Sequence, residues 1–221
     1  MKSAARSAYQ IDGIRISSYL SKLPMIGRES RASVTRMAPD EIVPVLKAAQ
    51  VEFVLVGAHG LAGWMEEPRA TQDVDFLIRQ RDKTKAAQAL QAKFKGLEIE
   101  KHPDVWRFAK DGKYLIVLIL DRSPLHKRVV KEFVEAKVGR QTIRVPKLEA
   151  ALAMKSAAMT GHYRNNRKKL QDAVDFMGLV ERNEKIDLEL LTELGELVFA
   201  GGGRQAVGYV ADVRAGRRLE I

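Results

Sequence analysis

The sequence predicts an α/β (α+β) fold: a small mixed β-sheet flanked by helices, followed by a C-terminal helical region. Two observations carry this expectation. Short β-branched and aromatic runs near residues 51–56, 73–79 and 114–120 read as strands of one sheet, with helical-period segments between them. From Pro146 onward the apolar spacing turns wholly helical. The expected organisation is an N-terminal arm over 1–37, an α/β domain over 38–145, a helical region over 146–199 and a basic tail over 200–221.

Residues 1–37 are rich in Ser, Arg and Lys, with a weak apolar pattern around Ile14, Ile16, Tyr19 and Leu20. Pro39-Asp40-Glu41 opens a helix with Ile42, Val43, Leu46 and Ala49 as its buried stripe. Phe53-Val54-Leu55-Val56 is a strand stopped by Gly57, and Gly57-Ala58-His59-Gly60 turns the chain into a short apolar helix. After Pro68 comes RATQDVDFLI, Arg69 to Ile78, a second strand in which Val74, Phe76 and Ile78 face the core. Ala86, Ala87, Leu90 and Phe94 mark a helix closed by Gly96. Strands at 97–100, 105–108 and 113–120 follow, the last two joined by an Asp111-Gly112 hairpin turn. A helix is expected from about Pro124 to Val138, with Leu125, Val129, Phe133 and Val134 facing in, then a short strand over 141–145. Leu148, Ala151 and Leu152 start one helix of the C-terminal region. Leu170, Val174, Met177 and Leu179 mark a second, and Leu188, Leu191, Leu194 and Val198 a third. Gly201-Gly202-Gly203 is expected to break that helix, leaving a mobile tail with Arg204, Arg214, Arg217 and Arg218.

The chemistry lies in Val51–Ile78. Side chains two apart on a strand share a face, so Asp73 and Asp75 project together. Such a pair repels itself, and a divalent cation relieves the repulsion. Mg²⁺ takes oxygen ligands, commonly one or two carboxylates plus substrate phosphates. Backbone N–H groups of the glycine turn add a phosphate cradle.

This stretch resembles the DNA-polymerase-β-like nucleotidyltransferase superfamily, whose pattern is a hydrophobic strand, G-[GS], a helix, then R-x-T-x-D-x-D. Gly57, Arg69, Thr71, Asp73 and Asp75 fall on that pattern, with Ala58 where a second Gly or a Ser is usual. The resemblance implies a nucleoside triphosphate (NTP) bound at Gly57, Ala58, Arg69 and Thr71, with Mg²⁺ or Mn²⁺ on Asp73 and Asp75. The segment Val145–Leu179 also looks like the helical region of AbiEii-type nucleotidyltransferase toxins of type IV toxin–antitoxin systems. Glu149, Lys155, Arg164, Arg167, Asp172, Asp175 and Leu179 can be placed on that pattern. Lys169 and Asp172 fit the acidic spacing too, but Leu179 falls in place only with Asp172 and Asp175. That resemblance implies catalytic roles for Lys155 and Asp172, a tRNA 3′ end as acceptor and a cognate antitoxin as partner. Lys155 reads equally as a lysine snorkelling from an apolar helix.

One departure bears on activity. The superfamily takes a third carboxylate from a neighbouring strand, and that position falls at or near Val117, in a run without acids, Leu115–Leu120. Asp121, at the end of the run, is the alternative metal ligand if the register differs. Without it the chain is slow, uses another base such as Asp172, or binds nucleic acid or a protein partner without catalysis.

The totals narrow the partners. Among 221 residues the net charge is +10, and there is no cysteine, which excludes disulfides and Cys-based metal or redox sites. The excess favours a polyanion such as RNA. Arg164, Arg167, Lys168 and Lys169 are the candidate nucleic-acid contacts, and a small acceptor such as an aminoglycoside has no need of that charge. His59 and His162 stand alone as non-ligands. No run approaches a bilayer span and no secretory signal precedes the arm, so the default expectation is cytoplasmic.

Overall fold

The computed structural model describes residues 37–138, 141–162 and 164–221; apart from Met37, the expected N-terminal arm lies outside them. Helix α1 (Pro39–Ala48) starts with its proline at the first turn, and Glu41 accepts from the Ala38 N–H at 2.8 Å. It delivers the chain into β1 (Phe53–Val56), which passes through α2 (Gly57–Leu61) and a loop to β2 (Val74–Ile78). Helix α3 (Lys83–Lys93), β3 (Glu98–Lys101), β4 (Val105–Lys110) and β5 (Lys113–Leu120) complete the α/β half. The β4–β5 turn uses Asp111 and Gly112 at φ 51 and 70, the paired positive φ values of a tight hairpin.

The strands form one mixed sheet in the order β1-β2-β5-β4-β3, with β2 and β5 parallel and the other pairs antiparallel. Alternation divides its side chains between two faces. Phe53, Leu55, Phe76, Ile78, Phe108, Ile116 and Leu118 pack on Ile42 and Leu46 of α1 and on Ala86 and Leu90 of α3. Val54, Val56 and Leu77 point the other way, into a second core built by the C-terminal helices. Asp75, between Val74 and Phe76, therefore projects on the second face.

Three expectations are corrected. Helix α4 (Pro124–Val129), capped by Ser123 accepting from the His126 N–H at 3.1 Å, lasts only six residues, not to Val138. The chain then makes β6 (Phe133–Val138), paired antiparallel with β7 (Gln141–Pro146). Leu125, Val129 and Phe133 keep a helical spacing, but Val134-Glu135-Ala136-Lys137-Val138 alternates with period two, and the longer local pattern wins.

The second correction concerns α6. Helices α5 (Leu148–Thr160) and α6 (Asn166–Arg182) run as expected, yet Leu170 and Val174 of α6 are 60% and 59% exposed, with Met177 exposed beside them. The inward face of α6 carries Asp172, Ala173, Asp175, Phe176, Leu179 and Val180. The two acids are turned inward by buried cations described below.

The third concerns residues 200–221, which are largely ordered helix rather than a mobile tail. Helix α7 (Leu188–Glu196) is followed by α8 (Gly202–Arg214), which buries Ala206, Tyr209, Val210 and Val213. Its glycines serve contact as well as the break: a Cβ on Gly203 would lie 2.4 Å from the Thr192 carbonyl oxygen, and one on Gly202 2.4 Å from that of Gly195. Only glycine lets the two backbones approach so closely.

Candidate active site

The site forms where β1 ends beside the start of β2. Gly57 leaves β1 at φ 61, and a Cβ built on it would fall 2.0 Å from Asp75 Oδ2. Both the left-handed conformation and the missing side chain are thus required for the Asp75 carboxylate to sit against this turn. Gly60 packs as tightly on the Leu55 carbonyl, 2.2 Å from a hypothetical Cβ. Trp64 anchors the loop by donating its indole N–H to the Pro146 carbonyl at 2.9 Å. Thr71 donates to Asp73 Oδ1 at 2.8 Å, orienting that carboxylate at the entrance to β2.

Asp75 is electrostatically uncomfortable. Burial, and then the neighbouring charge of Asp73, push its pKa from 3.8 to about 7, against the pull of Lys155, Arg164 and Arg69. Nearby His59 is buried at 1% exposure, and burial lowers its pKa to about 4. It is a neutral imidazole at physiological pH.

Across from the strands lies a ladder of charges linking the two halves of the chain. Arg69 donates Nε to Asp175 Oδ1 at 3.0 Å and Nη2 to Oδ2 at 3.2 Å, a forked pair with α6. Lys155 of α5, 9% exposed, donates to Asp172 Oδ1 at 2.8 Å and to Asp175 Oδ2 at 2.5 Å. Arg164 Nη1 stands 2.7 Å from Asp172 Oδ2, an ion pair without hydrogen-bond alignment. Although burial opposes it, Lys155 and Arg69 hold the Asp175 carboxyl below the usual range. The order Arg69–Asp175–Lys155–Asp172–Arg164 carries three cations on two acids, and all three cations act on Asp75.

The candidate residues divide clearly. Gly57, Ala58, Arg69, Thr71, Asp73, Asp75, Lys155, Asp172 and Arg164 belong to this neighbourhood. Arg167 and Lys168 lie exposed at the start of α6 with Lys169 partly buried next to them, where Asn165 caps the helix by accepting from the Lys168 N–H at 3.0 Å. Asp121 is elsewhere. It accepts from the Gln80 N–H at 2.7 Å and from Arg79 Nη1 at 3.2 Å, beyond the far ends of β2 and β5. The strands pair Asp75 directly with Val117, so Asp121 is four residues, about 13 Å of strand, further on. Among the described residues no group of three or more His, Cys, Asp or Glu side chains gathers as for a metal.

The Asp73–Asp75 pair nevertheless fits a divalent cation that brings ligands with it. It offers hard carboxylate oxygens, and the raised Asp75 pKa reports negative charge that burial and Asp73 make costly. Two carboxylates would hold one such ion, and Val117, opposite Asp75 on β5, adds no third.

Sequence reasoning did not find the forked Arg69–Asp175 pair, which joins residues 106 apart. It also missed the side chains that share the sheet face of Asp75 on β4 and β3. Alternation along those strands could have shown which residues face outward, but not the register between them.

No family model matches the sequence, and no curated protein does. Solved structures do. The chain aligns with the antibiotic-resistance factor ANT(2'')-Ia at a TM-score of 0.50 and 10% identity, over 80% of this chain and 95% of that one. An antigenic nucleotidyltransferase-like protein from Paracoccidioides brasiliensis aligns at 0.49 and 15% identity, over 84% and 97%. The lincosamide antibiotic adenylyltransferase LnuA aligns at 0.46 and 16%, over 66% and 99%. At such identities the likeness is one of fold: the chain has the α/β architecture of ANT(2'')-Ia. Among the described residues no helix is long and apolar enough to cross a membrane.

Proposed function

We propose that the protein is a metal-dependent nucleotidyltransferase that moves a nucleoside monophosphate from an NTP to an acceptor hydroxyl. The observation that carries the reading is the Asp73–Asp75 pair, with Asp75 pressed against Gly57 and raised in pKa beside a ladder with surplus positive charge. Mg²⁺ or Mn²⁺ on those carboxylates would neutralise phosphate charge and make the α-phosphorus more electrophilic. The chain's own groups supply the rest. The Gly57-Ala58 turn and Thr71 line the phosphate side, while Arg69 and Lys155 offset the charge that grows as pyrophosphate leaves. The acceptor oxygen forms the new bond to the α-phosphorus, its proton passes to solvent, and the α–β bridging oxygen departs with the bonding electrons. Asp172 and Asp175 are positioning residues here, because they hold Lys155 and Arg69 in place.

The favoured acceptor is an RNA, at a tRNA 3′ end, in the setting of a toxin with its antitoxin partner. Support comes from the net charge of +10 and from the resemblance of Val145–Leu179 to the AbiEii-type toxins. A second reading, a degenerate nucleotidyltransferase fold that binds nucleic acid or a protein without chemistry, is favoured by Val117 opposite Asp75. Thermal melting tests the nucleotide site. An NTP with Mn²⁺ or Mg²⁺ should raise the Tm, as any ligand of the native state does, and the double change Asp73→Asn with Asp75→Asn should abolish the shift. A shift that survives would put the nucleotide elsewhere.

A further inference from the structure

The sheet is covered unevenly. On the second face the C-terminal helices pack over Val54, Val56 and Leu77 of β1 and β2. Further along the same face no described helix packs on β4 and β3, with Arg107 and Glu100 36% and 41% exposed and Tyr114, on β5, 43%. Register makes this open half a continuation of the site. Val56, Asp75, Val117, Arg107 and Glu100 stand opposite one another across all five strands, so their side chains share one face. At about 4.8 Å per strand, Arg107 is about 10 Å from Asp75 and Glu100 about 14 Å.

The open half is organised. Tyr114 donates its hydroxyl to Glu100 Oε2, and the Arg107 guanidinium lies over the Tyr114 ring at 5.5 Å. Arg107 Nη1 is 3.4 Å from Glu100 Oε1 and 3.2 Å from His102 Nε2, whose ring also contacts Glu100. Exposed ion pairs of this kind contribute little to stability, so the fold gains little from displaying them. What the cluster does provide is a guanidinium plane laid over a tyrosine ring, a stack that a base can extend, on an accessible sheet. Single-stranded RNA is recognised by stacking unpaired bases on such planes, often on an open sheet face.

We propose that this shelf is the acceptor subsite. It receives the terminal unpaired bases of an RNA whose 3′ hydroxyl lies at Asp75, with Tyr114 and Arg107 as the stacking planes. The proposal rests on the RNA-acceptor reading above and adds to it where the strand lies and which side chains hold it.

The test is fluorescence anisotropy with an end-labelled, single-stranded oligoribonucleotide of about twelve nucleotides, within the size range of such sites. Tyr114→Ala and Arg107→Gln should each raise the Kd about tenfold, and Tyr114→Phe, which keeps the ring, should stay within about twofold of wild type. The Tm shift caused by NTP and Mg²⁺, measured on the same variants, should match wild type. Tyr114→Ala binding RNA as tightly as the wild type would overturn the shelf alone. A wild-type protein that shows the nucleotide shift but binds no oligoribonucleotide would overturn the RNA reading and the shelf with it. If Tyr114→Ala fails to fold, Arg107→Gln decides by the same criteria.

Discussion

Asp75 shows how a single residue sets stability against function. It lies between Val74 and Phe76, both 0% exposed, and burying a large apolar side chain contributes roughly 2 kcal/mol. That burial offsets the cost of holding the carboxylate where burial and Asp73 raise its pKa from 3.8 to about 7. Between those two values the folded protein binds more protons than the unfolded chain. Asp75 therefore favours folding at acid pH, and its contribution is lost as pH rises through about 7. Asp75→Asn removes this slope. In EDTA at pH 7 the variant should be more stable than wild type, on the order of 4 kcal/mol at about 1.4 kcal/mol per pKa unit. The difference should vanish near pH 4, measured by urea unfolding across the range. The opposing slope of His59, whose lowered pKa costs stability as pH falls from 6.5 toward about 4, is common to both proteins and cancels in the comparison. An unchanged difference at all pH values would mean that Asp75 is not strained.

At the scale of elements, α5 and α6 are joined through Lys155, which touches both Asp172 and Asp175. Removing one partner of a buried ion pair leaves uncompensated charge and costs about 3–5 kcal/mol. Lys155→Met should therefore lower stability by that order at pH 7. The loss should shrink in acid, where the abandoned carboxylates take up protons; a deficit of under about 1 kcal/mol at pH 7 would show that the network contributes only position. Elements also show how far the sequence could be read. Strand β5 is legible to the residue, because Asp111-Gly112 and an unbroken apolar run are local signals. Helix α8 is not, because its three leading glycines signal a break in isolation and a backbone contact only once α7 is beside them. The β6–β7 hairpin hides behind a helical spacing that happens to include Phe133. On α6 the apolar residues Leu170 and Val174 point outward because two acids, paired with cations from distant parts of the chain, take the inner face.

For the whole molecule, the α/β half supplies Asp73, Asp75 and Arg69, and the helical half supplies Lys155, Asp172, Asp175 and Arg164, so the site depends on both. That Asp73 and Asp75 share a face beside a glycine turn was legible from spacing; that they form a site was not, and rested on the resemblance of the whole Val51–Ile78 stretch. How they meet the ladder was not, since that depends on register and on a contact spanning 106 residues. The pairing of Asp75 with Val117 places no third carboxylate beside Asp73 and Asp75 on the neighbouring strand. Label transfer tests this account most directly. The protein is incubated with bulk tRNA, Mg²⁺ and each labelled NTP in turn, beside Asp75→Ala and Asp121→Ala. The account predicts label on the RNA with wild type, its loss with Asp75→Ala, since a lost oxygen ligand costs several kcal/mol of transition-state stabilisation, and its retention with Asp121→Ala. Label that persists in Asp75→Ala, or no label from any NTP with the wild type, would contradict it.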